Sequence, residues 1–337
     1  MRTNGYQWIM IVLLLMYPSS IMAKAYQLFH TVNWQQGGVI NAIIYPNEGI
    51  DNVQLRLEQV NLRDAGDSGY IRAKAKGFPL RVAKLKNGNI YAIIMGISAL
   101  VPPDNYELRA IITLKSGEIQ EVVSHTIALK AGAYTKQVIK MGAQGQAVRN
   151  NQSQERQLQA QRFYAALGRF DIETSFDVKS WDLPIKESKW YYTSRYGSVR
   201  EFVYPDGGKS RDFHNGEDFA GMSVGAGVYS VAEGKVTLAE NRIVTGNTVI
   251  VMHAPGVFSL YYHMDSIVVE KEEIIRRGQM VGRLGSTGFA TGPHLHLTAY
   301  IQGQDVDPNY LFNHALWDEK WAASTLRTLK VSKKVID

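Results

Sequence analysis

Cysteine is absent from all 337 residues. That excludes disulfides, thiolate metal sites and a lipid-modified cysteine near the N-terminus. A large charge excess of one sign is missing too. Lys and Arg number 37 against 31 Asp and Glu, a formal +6, with the basic residues scattered. Such a mild excess suits an anionic envelope polymer or a plain solvated surface, and no nucleic-acid partner is expected. Charged residues make up 20% and hydrophobic residues 45%, a globular composition rather than a disordered one. Histidine is sparse as well, at eight residues, which makes its distribution informative.

No apolar run is long enough to cross a bilayer comfortably. The longest candidate, WIMIVLLLMY, ends at Tyr17 and is followed by Pro18, Ser19 and Ser20; a spanning helix needs about 20 apolar residues. Arg2 lies upstream, and Ala23-Lys24-Ala25 supplies the small residues a signal peptidase accepts. Residues 1–25 therefore read as a cleaved secretory signal, with an uncleaved anchor as the alternative. Export to the periplasm or cell envelope follows. Without its signal the chain is expected not to be transmembrane. Disulfide-free export is ordinary for a bacterial envelope protein.

The remaining chain divides by pattern. Residues 26–131 alternate polar and apolar in short runs such as VINAIIY and NIYAIIMGI, broken by Gly, Asn, Asp and Pro. This predicts an antiparallel, immunoglobulin-like β-sandwich, acting as a spacer or docking module that meets an envelope protein partner. Residues 132–168 are rich in Gln, Asn and Ala and predict a polar linker running into one helix, with Ser153 as N-cap and Gly168 as stop. Residues 169–312 are again strand-rich. A hairpin is expected to turn at Ala254-Pro255-Gly256, and a second turn at Glu233-Gly234. Residues 313–337 predict an amphipathic helix with a basic tail, docked on the domain.

Five histidines, His214, His253, His263, His294 and His296, gather in that third region. His214 and Asp218 are four apart around Asn215-Gly216, a turn signal. Four residues along a strand return a side chain to the same face. His294 and His296 are i, i+2 in the stretch GPHLHL, so on a strand they share a face about 6.6 Å apart. Spacing does not say whether both bind a metal or one faces substrate. His263 closes LYYHM on one hairpin arm, and His253 lies on the other. Two imidazoles and one carboxylate, without thiolates, suit Zn²⁺ with an open fourth position. Spare neutral imidazoles could then serve as bases.

These residues resemble the lysostaphin-like (LytM-type) zinc metallopeptidases, peptidoglycan hydrolases. The likeness runs from about 195 to 312 through SRYGSVR, HNGEDFA, GAGVYSVAEGKV, GNTVIVMH, LYYHM, RRGQMVGRLGSTGFATGPHLHL and DVDPNYLF. It implies a small antiparallel β-domain of duplicated-hybrid-motif type, with zinc ligands His214, Asp218 and His296. His263 and His294 become the catalytic pair that activates water and stabilises the tetrahedral intermediate. It also implies a groove with the Gly-rich run 282–292 as one wall, and a tyrosine assistant, either Tyr196 or Tyr204. His253 stays outside the site. The implied function is a zinc metalloendopeptidase cutting peptide stems of bacterial peptidoglycan in cell-wall remodelling. The alternative within the family is a non-hydrolytic activator or scaffold of cell-wall amidases. A lipoyl- or biotinyl-carrier reading of GVYSVAEGKV would need Lys235 exposed at a hairpin tip.

Overall fold

The computed structural model describes residues 26–46, 48–65, 71–81, 89–171 and 177–336. The expected signal, residues 1–25, lies outside the described residues. The first unit is built from β1 (Gln27–His30), β2 (Val39–Tyr45), β3 (Ile50–Gln59), β4 (Ile71–Arg81), β5 (Asn89–Gly96), β6 (Asn105–Leu114), β7 (Ile119–Val123) and β8 (Ile127–Ala128). They pair antiparallel in the order β1-β2-β5-β4-β3-β6-β7, with β8 on β6. The alternating runs do become antiparallel strands, as expected. Lys76 of β4 pairs with β3, whereas the next residue, Gly77, pairs with β5. β4 therefore passes from one ladder to the other. A Cβ at Gly77 would sit 2.6 Å from the Tyr91 ring, so only glycine suits this crossover.

β2 is buried on both faces, and that determines how the units join. Ile40, Ala42 and Ile44 enter the first unit's own core with Trp34, Leu55, Leu57 and Tyr106. Val39 and Ile43, on the opposite face, enter the core of the C-terminal unit together with Phe78, Ala92 and Ile94. Alternation along one strand thus feeds two cores.

Within the expected linker, β9 (Lys136–Lys140) is followed by α1 (Ala143–Asn150) and α2 (Gln154–Leu167). Ser153 Oγ accepts from the Arg156 N–H and Gly168 follows the last turn of α2, the cap chemistry legible in the sequence. Ala166 and Leu167 pack against Ile250, Met252 and Leu260 of the large sheet.

The C-terminal unit comprises β10 (Tyr191–Ser194), β11 (Val199–Val203), β12 (Lys209–Phe213), β13 (Glu217–Ala220), β14 (Gly227–Tyr229), β15 (Gly234–Arg242), β16 (Gly246–Ala254) and β17 (Val257–Met264). It continues with β18 (Ser266–Ile267), β19 (Ile274–Ile275), β20 (Met280–Arg283), β21 (Leu295–Ile301), β22 (Gln304–Val306), α3 (Pro308–Asn313) and α4 (Glu319–Ile336). The large sheet runs β10-β13-β21-β17-β16-β15-β19, with β22 on β21. β9 is the edge of a small sheet, β12-β11-β9. β16 and β17 form the expected hairpin, with Gly256 at φ +73° in its turn. The C-terminal helix docks as expected: Leu316, Trp317, Ala322 and Leu326 enter the shared core. Among the described residues, no helix is long and apolar enough to cross a membrane.

One buried amide ties the two units. Asn41 Nδ2 donates to the Leu316 carbonyl at 2.9 Å, and the Asp318 N–H donates to Asn41 Oδ1 at 3.2 Å. Asn41→Ala leaves both backbone groups unpaired in a dry site and should cost about 1–3 kcal/mol. The expected readout is a melting temperature lowered by several degrees, with faster proteolysis near residue 316. An unchanged melting curve would mean that the units are not joined through this amide.

Candidate metal centre

Sheet register brings the ligand candidates together. Asp218 on β13 is the direct cross-strand partner of His296 on β21, and Tyr262 on β17 flanks His296 from the other side. Leu295 and Leu297 point oppositely, into the core, so the imidazoles of His294 and His296 share the outer face, as the sequence spacing predicts. His214 enters from the link between β12 and β13. Gly216 makes that link fit, because a Cβ there would lie 2.7 Å from His296 Nε2 and closer still to the Leu297 carbonyl.

The donor atoms meet at one point. Asp218 Oδ1 lies 2.8 Å from His296 Nδ1 and 3.1 Å from His214 Nε2, and the two ring nitrogens are 3.0 Å apart. All three residues are buried. Three ligands held tetrahedrally at about 2.0–2.2 Å would be separated by roughly 3.3–3.5 Å, close to what is seen. His214 Nδ1 lies 2.9 Å from the Arg195 carbonyl, which can only accept, so Nδ1 carries the proton and Nε2 is bare. His296 Nε2 meets Thr298 Oγ1 at 2.8 Å. When that hydroxyl accepts, His296 Nδ1 is bare as well. Three converging lone pairs repel unless a cation sits among them, so the donor set fits a divalent metal such as zinc.

Electrostatics agree with that assignment. Burial would raise the Asp218 carboxyl, but its interactions with His214 and His296 hold it well below the usual range. Arg200 Nη2 lies 2.5 Å from Asp218 Oδ2, leaving Oδ1 for the centre. Burial lowers His296 to about 4, against the pull of Asp218. A neutral imidazole is the form that binds metal. Tyr262 stacks on the His296 ring at 5.1 Å and 7°, fixing its plane.

Two further imidazoles face this point. His263 has φ +61°, a strained conformation for a residue with a Cβ. It is held there by its N–H to the Thr245 carbonyl at 2.9 Å and by Nδ1–H to the Thr287 carbonyl at 2.8 Å. Burial, then the neighbouring His294 and His296, lower His263 to about 3, so its Nε2 is a bare base. The His294 ring is 4.8 Å from that of His263. Its Nδ1 donates to the Gly292 carbonyl at 2.8 Å, and its Nε2 lies 3.8 Å from Asp218 Oδ1.

All five expected residues therefore meet in one place. His253 does not join them: it is buried elsewhere, bonded to the Glu233 carbonyl and Ser259 Oγ. Neither tyrosine candidate joins either. Tyr196 donates to the Asp305 carbonyl and accepts from the Ala99 N–H, and Tyr204 pairs with Ser210. Lys235 lies within β15, 2.8 Å from Glu272, not at the tip a carrier domain needs. Arg200, Tyr262 and Thr298 were not singled out from the sequence. Arg200 ends the SRYGSVR stretch, yet no spacing rule links it to Asp218.

Beside the centre lies a groove of about 540 Å³. Asp218, Ala220, Thr193 and Arg200 line it together with Gln137, Val138 and Ile139 of β9 and Thr291–His294; of the expected wall, residues 282–292, only Thr291 and Gly292 take part.

Residues 212–308 match Peptidase family M23. The chain is 36% identical over 121 residues to peptidoglycan DD-endopeptidase ShyA of Vibrio cholerae, covering 36% of this chain and 27% of that protein. It is 30% identical over 122 residues to the murein hydrolase activator NlpD of Escherichia coli K12, covering 36% and 30% respectively. The matches thus span less than a third of either relative. A solved Pseudomonas aeruginosa structure assigned to peptidase M23 aligns with 84% of this chain and 95% of its own, at 20% identity and a TM-score of 0.51, a likeness of fold. Residues 212–308 of this chain are thus a peptidase M23 domain of LytM type.

Proposed function

We propose that this chain is a zinc metalloendopeptidase that hydrolyses peptide cross-links of bacterial peptidoglycan in the periplasm or cell envelope. The observation that carries the reading is the convergence of three bare donors on one point, with the Nε2 atoms of His263 and His294 facing it. In this reading His214, Asp218 and His296 hold the ion. Bound there, zinc polarises a carbonyl and lowers the pKa of water to about 7.

The chain's own residues then divide the work. His263, neutral and fixed by Thr287, accepts the proton from the attacking water. His294, fixed by Gly292, stabilises the oxyanion that develops at the scissile carbonyl. The proton taken from water leaves on the departing amine, so the pair returns to its starting state. Arg200 positions Asp218 and does not touch substrate in this scheme. The 1–25 segment and the similarity to a peptidoglycan endopeptidase support the envelope location and the substrate class.

A non-hydrolytic activator of amidases is the alternative that similarity to NlpD raises. An activator needs neither a strained imidazole nor a full ligand set, and this chain has both. Purified cross-linked muropeptides, incubated with the protein and followed by mass spectrometry, separate the two readings. An enzyme yields cleaved stems that vanish with a zinc chelator, whereas an activator yields none at any metal level.

His296→Ala should abolish both zinc retention and cleavage. His263→Ala should lower cleavage at least about 100-fold, the range of a lost general base, while one zinc per chain stays bound. Normal turnover by His263→Ala would remove it as the base. Arg200→Gln should weaken zinc binding by about 10–100-fold, the usual cost of losing an outer partner of a ligand. Competition with a fluorescent chelator measures it, and an unchanged affinity would show that Arg200 does not orient Asp218.

A further inference from the structure

β9 lies outside the region that matches the peptidase family, at residues 136–140 against 212–308, yet Gln137, Val138 and Ile139 line the groove beside Asp218 and His294. Among the described residues it is a parallel edge strand, paired through β11 alone. The ladder fixes which amides are used. The Val199 N–H donates to the Thr135 carbonyl at one end, and the Met141 N–H to the Val203 carbonyl at the other. With the register Val199↔Lys136 to Val203↔Lys140, Gln137 and Ile139 turn their N–H and C=O groups toward β11. Lys136, Val138 and Lys140 turn theirs away from it. An unpaired strand edge on a groove is a template for one more strand.

The side chains around that edge suit a particular guest. Val138 is 66% exposed and Tyr191, across the groove, 60%, so two large apolar groups face solvent at the groove. Lys136 and Lys140 flank Val138 on its own face of the strand and are exposed. Among the described residues neither lies within ion-pair distance of a carboxylate. Gln137 is already committed: its Oε1 accepts from Ser194 Oγ at 2.7 Å and its Nε2 donates to the Thr193 carbonyl at 3.4 Å. It fixes β9 against β10 and thereby sets the groove's width.

The geometry points to β9 as a docking edge for the substrate peptide, which adds to it as a strand through the backbone N–H and C=O of Val138 and reaches the metal centre from there. The guest is an extended peptide bearing carboxylates that Lys136 and Lys140 attract. This rests on the hydrolase reading and extends it, because strand addition supplies main-chain affinity while flanking side chains select. The linker thereby becomes part of the substrate site.

Hydrogen exchange of the full chain, kept metal-free with chelator so that nothing is cut, tests this directly with a purified cross-linked muropeptide dimer as probe. The account expects slowed exchange in residues 136–140 when the dimer is added; no change there overturns it. In the zinc-loaded protein, Val138→Pro removes the outward N–H and leaves the β9–β11 bonds intact, since proline is tolerated on such an edge. It should raise KM for the dimer by about 3- to 10-fold, the worth of one net hydrogen bond, with kcat and zinc content unchanged. Val138→Ala keeps the N–H and should change KM less than Val138→Pro. Equal effects of the two would assign the binding to the side chain and sink the strand-addition idea. Wild-type cleavage without protection at β9 refutes this inference alone, and protection without cleavage refutes the hydrolase reading alone.

Discussion

The pairing of Asp218 with His296 across β13 and β21 is the constraint on which the site depends. A sheet register is set by many backbone bonds at once, so this carboxylate and imidazole cannot drift apart without unzipping the ladder. His214 is added from the adjoining turn, and Gly216 removes the one Cβ that would block it. Each group is then oriented by a second partner: Arg195 for His214, Thr298 and Tyr262 for His296, and Arg200 for Asp218. Those partners hold lone pairs in mutual repulsion, which a divalent cation would relieve.

The same sheet serves stability and chemistry on opposite faces. Leu295 and Leu297 anchor β21 in a core that also takes in Val39 and Ile43 of the first unit and Trp317 near the C-terminus. Fully burying each such side chain is worth about 1.5–3 kcal/mol, so the two units share their stability rather than hanging on a tether. The first unit completes the core behind Leu295 and Leu297. The linker contributes from the other side, with α2 on the back of the large sheet and β9 on the groove.

Much of this was legible in the sequence where the governing physics is local. The i, i+2 histidines, the turn at Asn215-Gly216, the hairpin at Pro255-Gly256 and the Ser153 cap each follow from periodicity or turn chemistry within a few residues. What escaped depends on distant pairing. Nothing near Lys136 announces a partner at Val199, and nothing near Arg200 announces Asp218. Alternation marks β4 as a strand but does not reveal that it passes from β3 to β5 at Gly77. Tyr196 is claimed by distant contacts to Ala99 and Asp305, and Tyr204 by Ser210 across the neighbouring hairpin.

The central claim is a single ion held by two imidazoles and one carboxylate. X-ray absorption at the zinc edge, on the full chain loaded with one equivalent of Zn²⁺, measures it most directly. The account predicts two imidazole nitrogens at about 2.0–2.1 Å, one carboxylate oxygen at about 2.0–2.2 Å and a fourth light atom. A shell of oxygens without imidazole, or failure to retain zinc at all, would contradict it.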